Sequence, residues 1–134
     1  MNKEFIPYEQ ALQLKELGFN KACFGYYVDG ELRGVNLGME ELGGKEPYYQ
    51  RYGFHTLSNH DIDNPNKTVV TAPTFSQAFR WFREKYWLDN AVLKDRYVIE
   101  TREDLPIWWY YGLNTYEEAE LACLIKLIEI VKNK

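Results

Sequence analysis

Apolar positions follow helical spacing in three stretches of the chain, and each stretch opens with the same short pattern. An aromatic residue is followed three positions later by an alanine, which places both side chains on one face of a helix. The three copies of the pattern are Pro7–Ala11, Thr74–Ala78 and Thr115–Ala119. They predict helices over about 7–17, 75–86 and 116–131.

The opening residues of these stretches are typical of helix N-termini. Thr74 and Thr115 can cap exposed backbone amides, and Gln77 and Glu118 stand three positions later, where a capping box needs a partner. Pro7 suits a first helical position because its fixed backbone angle is already helical. We therefore expect the three helices to begin at these positions.

A strong hairpin signal follows the first helix. Residues 22–28 and 31–37 are rich in strand-forming side chains and flank Asp29-Gly30, the preferred pair for a type I′ turn. From 38 to 66 the chain becomes polar and rich in Gly, Asn and Asp, which is typical of an irregular insertion. The pattern thus predicts a tight hairpin and then a long connection.

Further strands are predicted around the second helix. Residues 67–71 form a short strand before it, and 96–101 and 107–111 form a second hairpin joined by an acidic turn. These elements predict an α+β fold in which antiparallel hairpins form one sheet and three helices pack on it. We expect a single domain over 1–134, since 134 residues can bury about two thirds of their unfolded surface.

Charge and composition narrow the class of protein. The formal net charge of −4 comes from 20 acidic and 16 basic residues, which disfavours a general phosphate-binding protein. Cys23 and Cys123 have no partner at metal-binding or redox spacing, so both are predicted to be structural thiols. No apolar run is long enough for a secretory signal or a membrane span. We expect a cytoplasmic protein that does not enter membranes.

Several sequence blocks carry a resemblance to a known family. The blocks are Phe5–Ala11, Lys15–Phe19, Cys23–Tyr27, Ala72–Tyr86 and Thr115–Cys123. With them the chain resembles a family of small uncharacterised proteins of Bacteroides-type bacteria and their phages. The resemblance covers about half of the chain and implies a phage or mobile-element setting. It implies no catalytic residue, because the family brings no established activity.

The sharpest chemical cluster lies in the polar insertion. Both histidines of the chain, His55 and His60, stand close in sequence to Asp61 and Asp63. Imidazole and carboxylate groups are ligands for zinc, and an open position on such an ion could activate water, which would make the protein a metal-dependent hydrolase. The spacing is generic, however, and the same residue types solvate turn-rich loops. We expect no bound metal and no other cofactor.

Other catalytic arrangements are not supported. Ser58 and Ser76 are the only serines, and neither lies in a nucleophile elbow. The turn Gly43-Gly44-Lys45 lacks both the preceding strand and the following hydroxyl residue of a phosphate-binding loop. We therefore predict that the protein is not an enzyme.

Single-stranded nucleic acid is an alternative ligand. Arg80, Arg83 and Lys85 lie on the second helix beside Trp81, so arginines could hold phosphates while exposed aromatic rings stack on bases. A structural reading competes with this one, because Lys85 can instead lie over Trp81 and the arginines can pair within the helix.

The third helix favours a protein partner. One apolar stripe should face the sheet, and a second stripe lies on another side, formed by Leu121, Ile125 and Ile128. A helix that is apolar on two sides needs two neighbours: either the first helix of the same chain, or a twin helix in a homodimer or a host protein. Trp108 and Tyr110 in the second hairpin add aromatic surface. The leading prediction is a non-catalytic protein-binding module.

Overall fold

The computed structural model describes residues 4–34, 58–59, 67–101 and 107–133, and these form an α+β fold. The fold class predicted from the sequence is confirmed. The helices are α1 (Tyr8–Glu16), α2 (Phe75–Tyr86) and α3 (Tyr116–Lys132). The strands are β1 (Gly25–Val28), β2 (Glu31–Gly34), β3 (Val69–Ala72), β4 (Leu88–Leu93), β5 (Arg96–Thr101) and β6 (Ile107–Tyr111).

The strands form two sheets, so the prediction of one sheet is wrong. One antiparallel sheet has the order β2-β1-β3 and the other has the order β4-β5-β6. The second sheet also contains β4, which the sequence pattern did not predict because Asp89, Asn90 and Ala91 are poor strand formers. With β4 present, the second hairpin becomes a complete three-stranded meander.

The chain divides into two compact units, 1–74 and 75–134. The first contains α1 and the sheet β2-β1-β3, and the second contains α2, α3 and the sheet β4-β5-β6. The expectation of a single domain over 1–134 stays a prediction. The predicted insertion at 38–66 lies outside the described residues, apart from 58–59.

The first hairpin turns at the predicted pair. Asp29 and Gly30 have φ values of 50° and 89°, the left-handed conformations that a type I′ turn requires. The turn is also tied to the residue before β3, because Thr68 accepts a backbone hydrogen bond from Asp29 and donates one to its Oδ1 atom, both at 2.8 Å. β1 is therefore held on both sides, and its residues are buried.

The first helix ends in a Schellman motif. Gly18, at φ 94°, donates its N–H to Lys15 at 3.0 Å, and Phe19 donates to Leu14 at 2.9 Å. Leu14 and Phe19 are both buried apolar residues, at the positions where this motif commonly has them. At the other end, Pro7 is the N-cap and the helix begins at Tyr8, one residue later than predicted.

The third helix has the predicted side-chain cap. Thr115 Oγ1 accepts a hydrogen bond of 3.1 Å from the N–H of Glu118. In return, Glu118 Oε2 accepts from the N–H of Asn114 at 2.9 Å, one residue before the N-cap. The capping box in α3 is confirmed in this slightly shifted form. Helix α2 likewise begins directly after its threonine, Thr74.

Candidate protein-binding surface

The predicted second stripe of α3 is not a continuous exposed surface. Ile128 is buried, Leu121 is half-buried, and only Ile125 is strongly exposed. The helix packs against β4 and β5 on one side and against α2 on another, all in the second unit. Helix α3 thus has neighbours within its own unit, and the prediction that α1 or a partner covers its second apolar side stays a prediction.

The residues of the nucleic-acid alternative do not form a stacking site. Trp81 is only 4% exposed, so its ring is not accessible to a base. The Nζ atom of Lys85 lies 5.1 Å from the centre of that ring, in a cation–π contact. Arg80 is exposed and Arg83 is half-buried on the same helix. The structure therefore gives Trp81 and Lys85 a packing role.

The candidate metal-ligand cluster belongs to the polar insertion. His55, His60, Asp61 and Asp63 lie outside the described residues. Among the residues that are described, no group of three or more His, Cys, Asp or Glu side chains is placed to hold a metal ion.

The two cysteines are free and buried. Burial raises the pKa of each thiol to about 12, so neither forms a nucleophilic thiolate at neutral pH. Cys23 Sγ donates to the carbonyl of Lys21 at 3.3 Å, and Asn90 Nδ2 donates to Cys123 Sγ at 3.7 Å. Both side chains behave as packing groups, in agreement with their prediction as structural thiols.

Strand β6 carries the main exposed aromatic surface of the described chain. Trp109 is 60% exposed, and Tyr110 and Tyr111 are each more than half exposed. Trp108 is half-buried. The strand Ile107–Tyr111 contains no charged residue, glycine or proline. It lies at the edge of its sheet, and no strand among the described residues pairs with its outer side.

The ladder between β5 and β6 assigns these side chains to two faces. Tyr97 pairs with Tyr110 and Ile99 with Trp108, and because Tyr97 and Ile99 are buried, this face is the one that α3 covers. Arg96 pairs with Tyr111 and Val98 with Trp109 on the other face, which we call the open face. The sequence alone could not assign these side chains to the two faces, because the assignment depends on the register between β5 and β6.

An aromatic cluster occupies one end of the open face. The rings of Trp109 and Tyr111 lie 4.9 Å apart at 69°, an edge-to-face contact. The guanidinium of Arg96 lies 4.7 Å from the centre of the Tyr111 ring. Arg96 Nε also donates to Asp95 Oδ1 at 2.9 Å, and this hydrogen bond lowers the pKa of the Asp95 carboxyl. The arginine charge is therefore already paired within the protein.

The other end of the open face is acidic. Asp89 and Glu100 are paired across β4 and β5, and with Ala91 and Val98 they line a depression of about 130 Å³. This volume is well below the roughly 300 to 1,000 Å³ of typical small-molecule pockets. Together with the paired Arg96, the two carboxylates make the face unfavourable for a phosphate backbone. A protein surface fits the aromatic cluster better.

Sequence reasoning selected Trp108 and Tyr110 from this strand and missed Trp109 and Tyr111. Tyr110 is exposed, although its ring also stacks on Tyr97 at 6.3 Å and 18°. The missed signal is the alternation in β5, whose charged residues at 96 and 100 mark the solvent-facing side. Once the register of the hairpin is known, that side also receives Trp109.

The chain matches no protein-family model, curated protein or solved structure in comparisons with known proteins. The resemblance to the Bacteroides and phage family therefore stays a prediction. Among the described residues, no helix has both the length and the apolar character needed to cross a membrane.

Proposed function

We propose that the protein is a non-catalytic protein-binding module that docks its partner on the β6 surface, defined as Arg96, Trp109, Tyr110 and Tyr111. The observation that carries this proposal is an uncharged aromatic strand at a sheet edge, with three of its side chains more than half exposed. Its setting in a phage or mobile element is part of the proposal and rests on the family resemblance.

The edge itself supports binding to a protein. Exposed edge strands present free backbone N–H and C=O groups, and natural proteins protect them with charges, prolines or bulges. β6 has no charge and no proline between Ile107 and Tyr111, and its ladder with β5 is regular. Such an edge can add a strand from a partner through main-chain hydrogen bonds.

The side chains add a second source of affinity. Tyr, Trp and Arg are the residue types most enriched in the energetically important centres of protein interfaces. Here the three types are already in contact, because Trp109 touches Tyr111 and Arg96 lies over the Tyr111 ring. Little side-chain freedom remains to be lost on binding, which favours affinity.

Site-specific photo-crosslinking tests the proposal. A photoreactive phenylalanine analogue replaces Trp109 in the full chain, and a matched control carries it in place of Phe24, which is also 60% exposed but lies in the first unit. We expect irradiation of producing cells to yield a protein adduct from position 109 and not from position 24. Equal yields from both positions, or an adduct to nucleic acid from position 109, would contradict the proposal.

A further inference from the structure

Strand β6 is complementary to a second copy of itself. In an antiparallel pair, directly opposed side chains lie on the same face of the sheet. Neighbouring residues of one strand point to opposite faces. Two copies of one strand can therefore pair symmetrically only if opposed residues are an even number of sequence positions apart, zero included. A pair centred on Trp109 satisfies this condition and uses all five residues of the strand. It opposes Trp109 to Trp109, Trp108 to Tyr110, and position 107 to Tyr111.

The central pairs of this arrangement are aromatic on both sides. Trp109 meets its twin on the open face, and Trp108 meets Tyr110 on the other face. Aromatic cross-strand pairs are among the most favourable contacts in antiparallel sheets. Three rings per copy that are now more than half exposed to water would become partly covered.

The charges on the open face are complementary in the same register. Arg96 lies beside Tyr111 at one end of the face, and Glu100 lies beside position 107 at the other. Because Tyr111 opposes position 107 of the second copy, Arg96 falls in one row with Glu100 of the second copy. Three strand spacings separate them, about 14 Å. A parallel pair of β6 edges would instead place the open face of one copy beside the α3-covered face of the other.

At that separation the charges are compatible with this register but contribute little to its free energy. The distance exceeds the Debye length of about 8 Å at physiological ionic strength, so their attraction is largely screened. The contact energy must come from the edge hydrogen bonds and the aromatic pairs. Asp89 and Glu100 oppose each other across β4 and β5 and form the acidic end of the open face. Repulsion between like charges disfavours any arrangement that brings the acidic ends of two copies together.

We infer that the partner of the β6 surface is a second copy of this chain, with the two β6 strands joined antiparallel around Trp109 into one six-stranded sheet. This inference rests on the proposed function, since it assigns the partner of the same surface. It also explains why this edge carries no protective charge. The sheet edge that would otherwise invite unwanted pairing is closed by the symmetric contact.

Sedimentation of the purified full chain tests this pairing. The parent should approach twice its monomer mass of 15.9 kDa as concentration rises. Trp109→Glu and Trp109→Lys should each raise the dissociation constant at least about tenfold, because each places two like charges opposite one another. An equimolar mixture of the two variants should restore the dimer. Since position 109 is exposed, circular dichroism should show that both variants remain folded.

Leu93→Glu is the matched control. Leu93 is 52% exposed and lies in one row with Arg96 on the open face, but it belongs to β4 at the opposite edge of the sheet. Edge pairing through β6 predicts an unchanged dimer for this variant. Loss of the dimer would place the contact on the open face and overturn the inference.

Two further outcomes separate the inference from the proposed function. A parent chain that stays monomeric up to about 1 mM, the weak end of specific association, overturns self-pairing. If position 109 then crosslinks to a different protein, the binding-module proposal stands with another partner. If position 109 crosslinks to no protein, both the self-pairing inference and the binding-module proposal are contradicted.

Discussion

The side-chain amide of Asn59 donates a hydrogen bond of 3.0 Å to the backbone carbonyl of Phe19, 40 residues earlier in the chain. Its Oδ1 atom accepts a second hydrogen bond, of 2.9 Å, from the N–H of Thr71 in β3. One side chain thus joins the end of the first helix to a strand of the first sheet. It serves one backbone acceptor, at Phe19, and one backbone donor, at Thr71.

Asn59→Ala should therefore lower the free energy of unfolding by about 2 to 3 kcal/mol, because one partly buried carbonyl and one partly buried N–H lose their partner. Urea unfolding followed by circular dichroism measures this change. Asn114→Ala removes the same group from an exposed position and should change stability by less than about 0.5 kcal/mol. Equal midpoints for the two variants would show that the Asn59 contacts are not stabilising.

The hydroxyl of Tyr27 should have a similar role at the start of the first helix. It donates a buried hydrogen bond of 2.6 Å to the carbonyl of Ile6. Tyr27→Phe leaves that carbonyl without its donor and should cost about 1 to 3 kcal/mol in thermal or urea unfolding. Tyr110→Phe, on an exposed ring, is the control and should be nearly neutral. A Tyr27→Phe variant as stable as the parent would contradict this assignment.

The cap of α3 offers a direct test of the sequence pattern. Thr115→Ala removes the acceptor for the N–H of Glu118 and should cost about 0.5 to 2 kcal/mol. Thr115→Ser keeps a hydroxyl at the same position and should retain most of that stability. If the alanine and serine variants unfold at the same urea concentration, the hydrogen bond seen here does not support the helix.

Stability should depend on pH through Glu120. Burial, and then the charge of Glu117, raise the pKa of the Glu120 carboxyl in the folded protein. The folded state therefore binds its proton more tightly than the unfolded state, and stability falls as pH rises from about 4 through the raised pKa. Glu120→Gln cannot ionise and should have a higher melting temperature than the parent at pH 7.

The advantage of Glu120→Gln should disappear below about pH 4, where the parent carboxyl is protonated in both states. Melting curves at several pH values measure this convergence. Glu84→Gln makes the same substitution at an exposed position of α2 and is the matched control. A constant difference between Glu120→Gln and the parent at all pH values would rule out ionisation as the cause.

Local chemistry explains which parts of the fold could be predicted. The turn at Asp29 and Gly30 needs two left-handed residues, and that pair adopts this conformation at low cost. The cap at Thr115 likewise needs only a hydroxyl and an acidic residue three positions later. Such features depend on neighbours in sequence, so the pattern of residues alone predicted the helix starts, the first hairpin and the α+β class.

Tertiary contacts decided the rest. β4 forms although Asp89 and Asn90 disfavour a strand, because pairing with β5 outweighs their weak intrinsic preference. Burial of Ile128 depends on how α3 meets α2 and the sheet, and exposure of Trp109 depends on the register between β5 and β6. The sequence determined that strand β6 would be aromatic. The register between β5 and β6 decided which of its rings are exposed to solvent. A shift of one residue in that register would exchange the two faces of the strand.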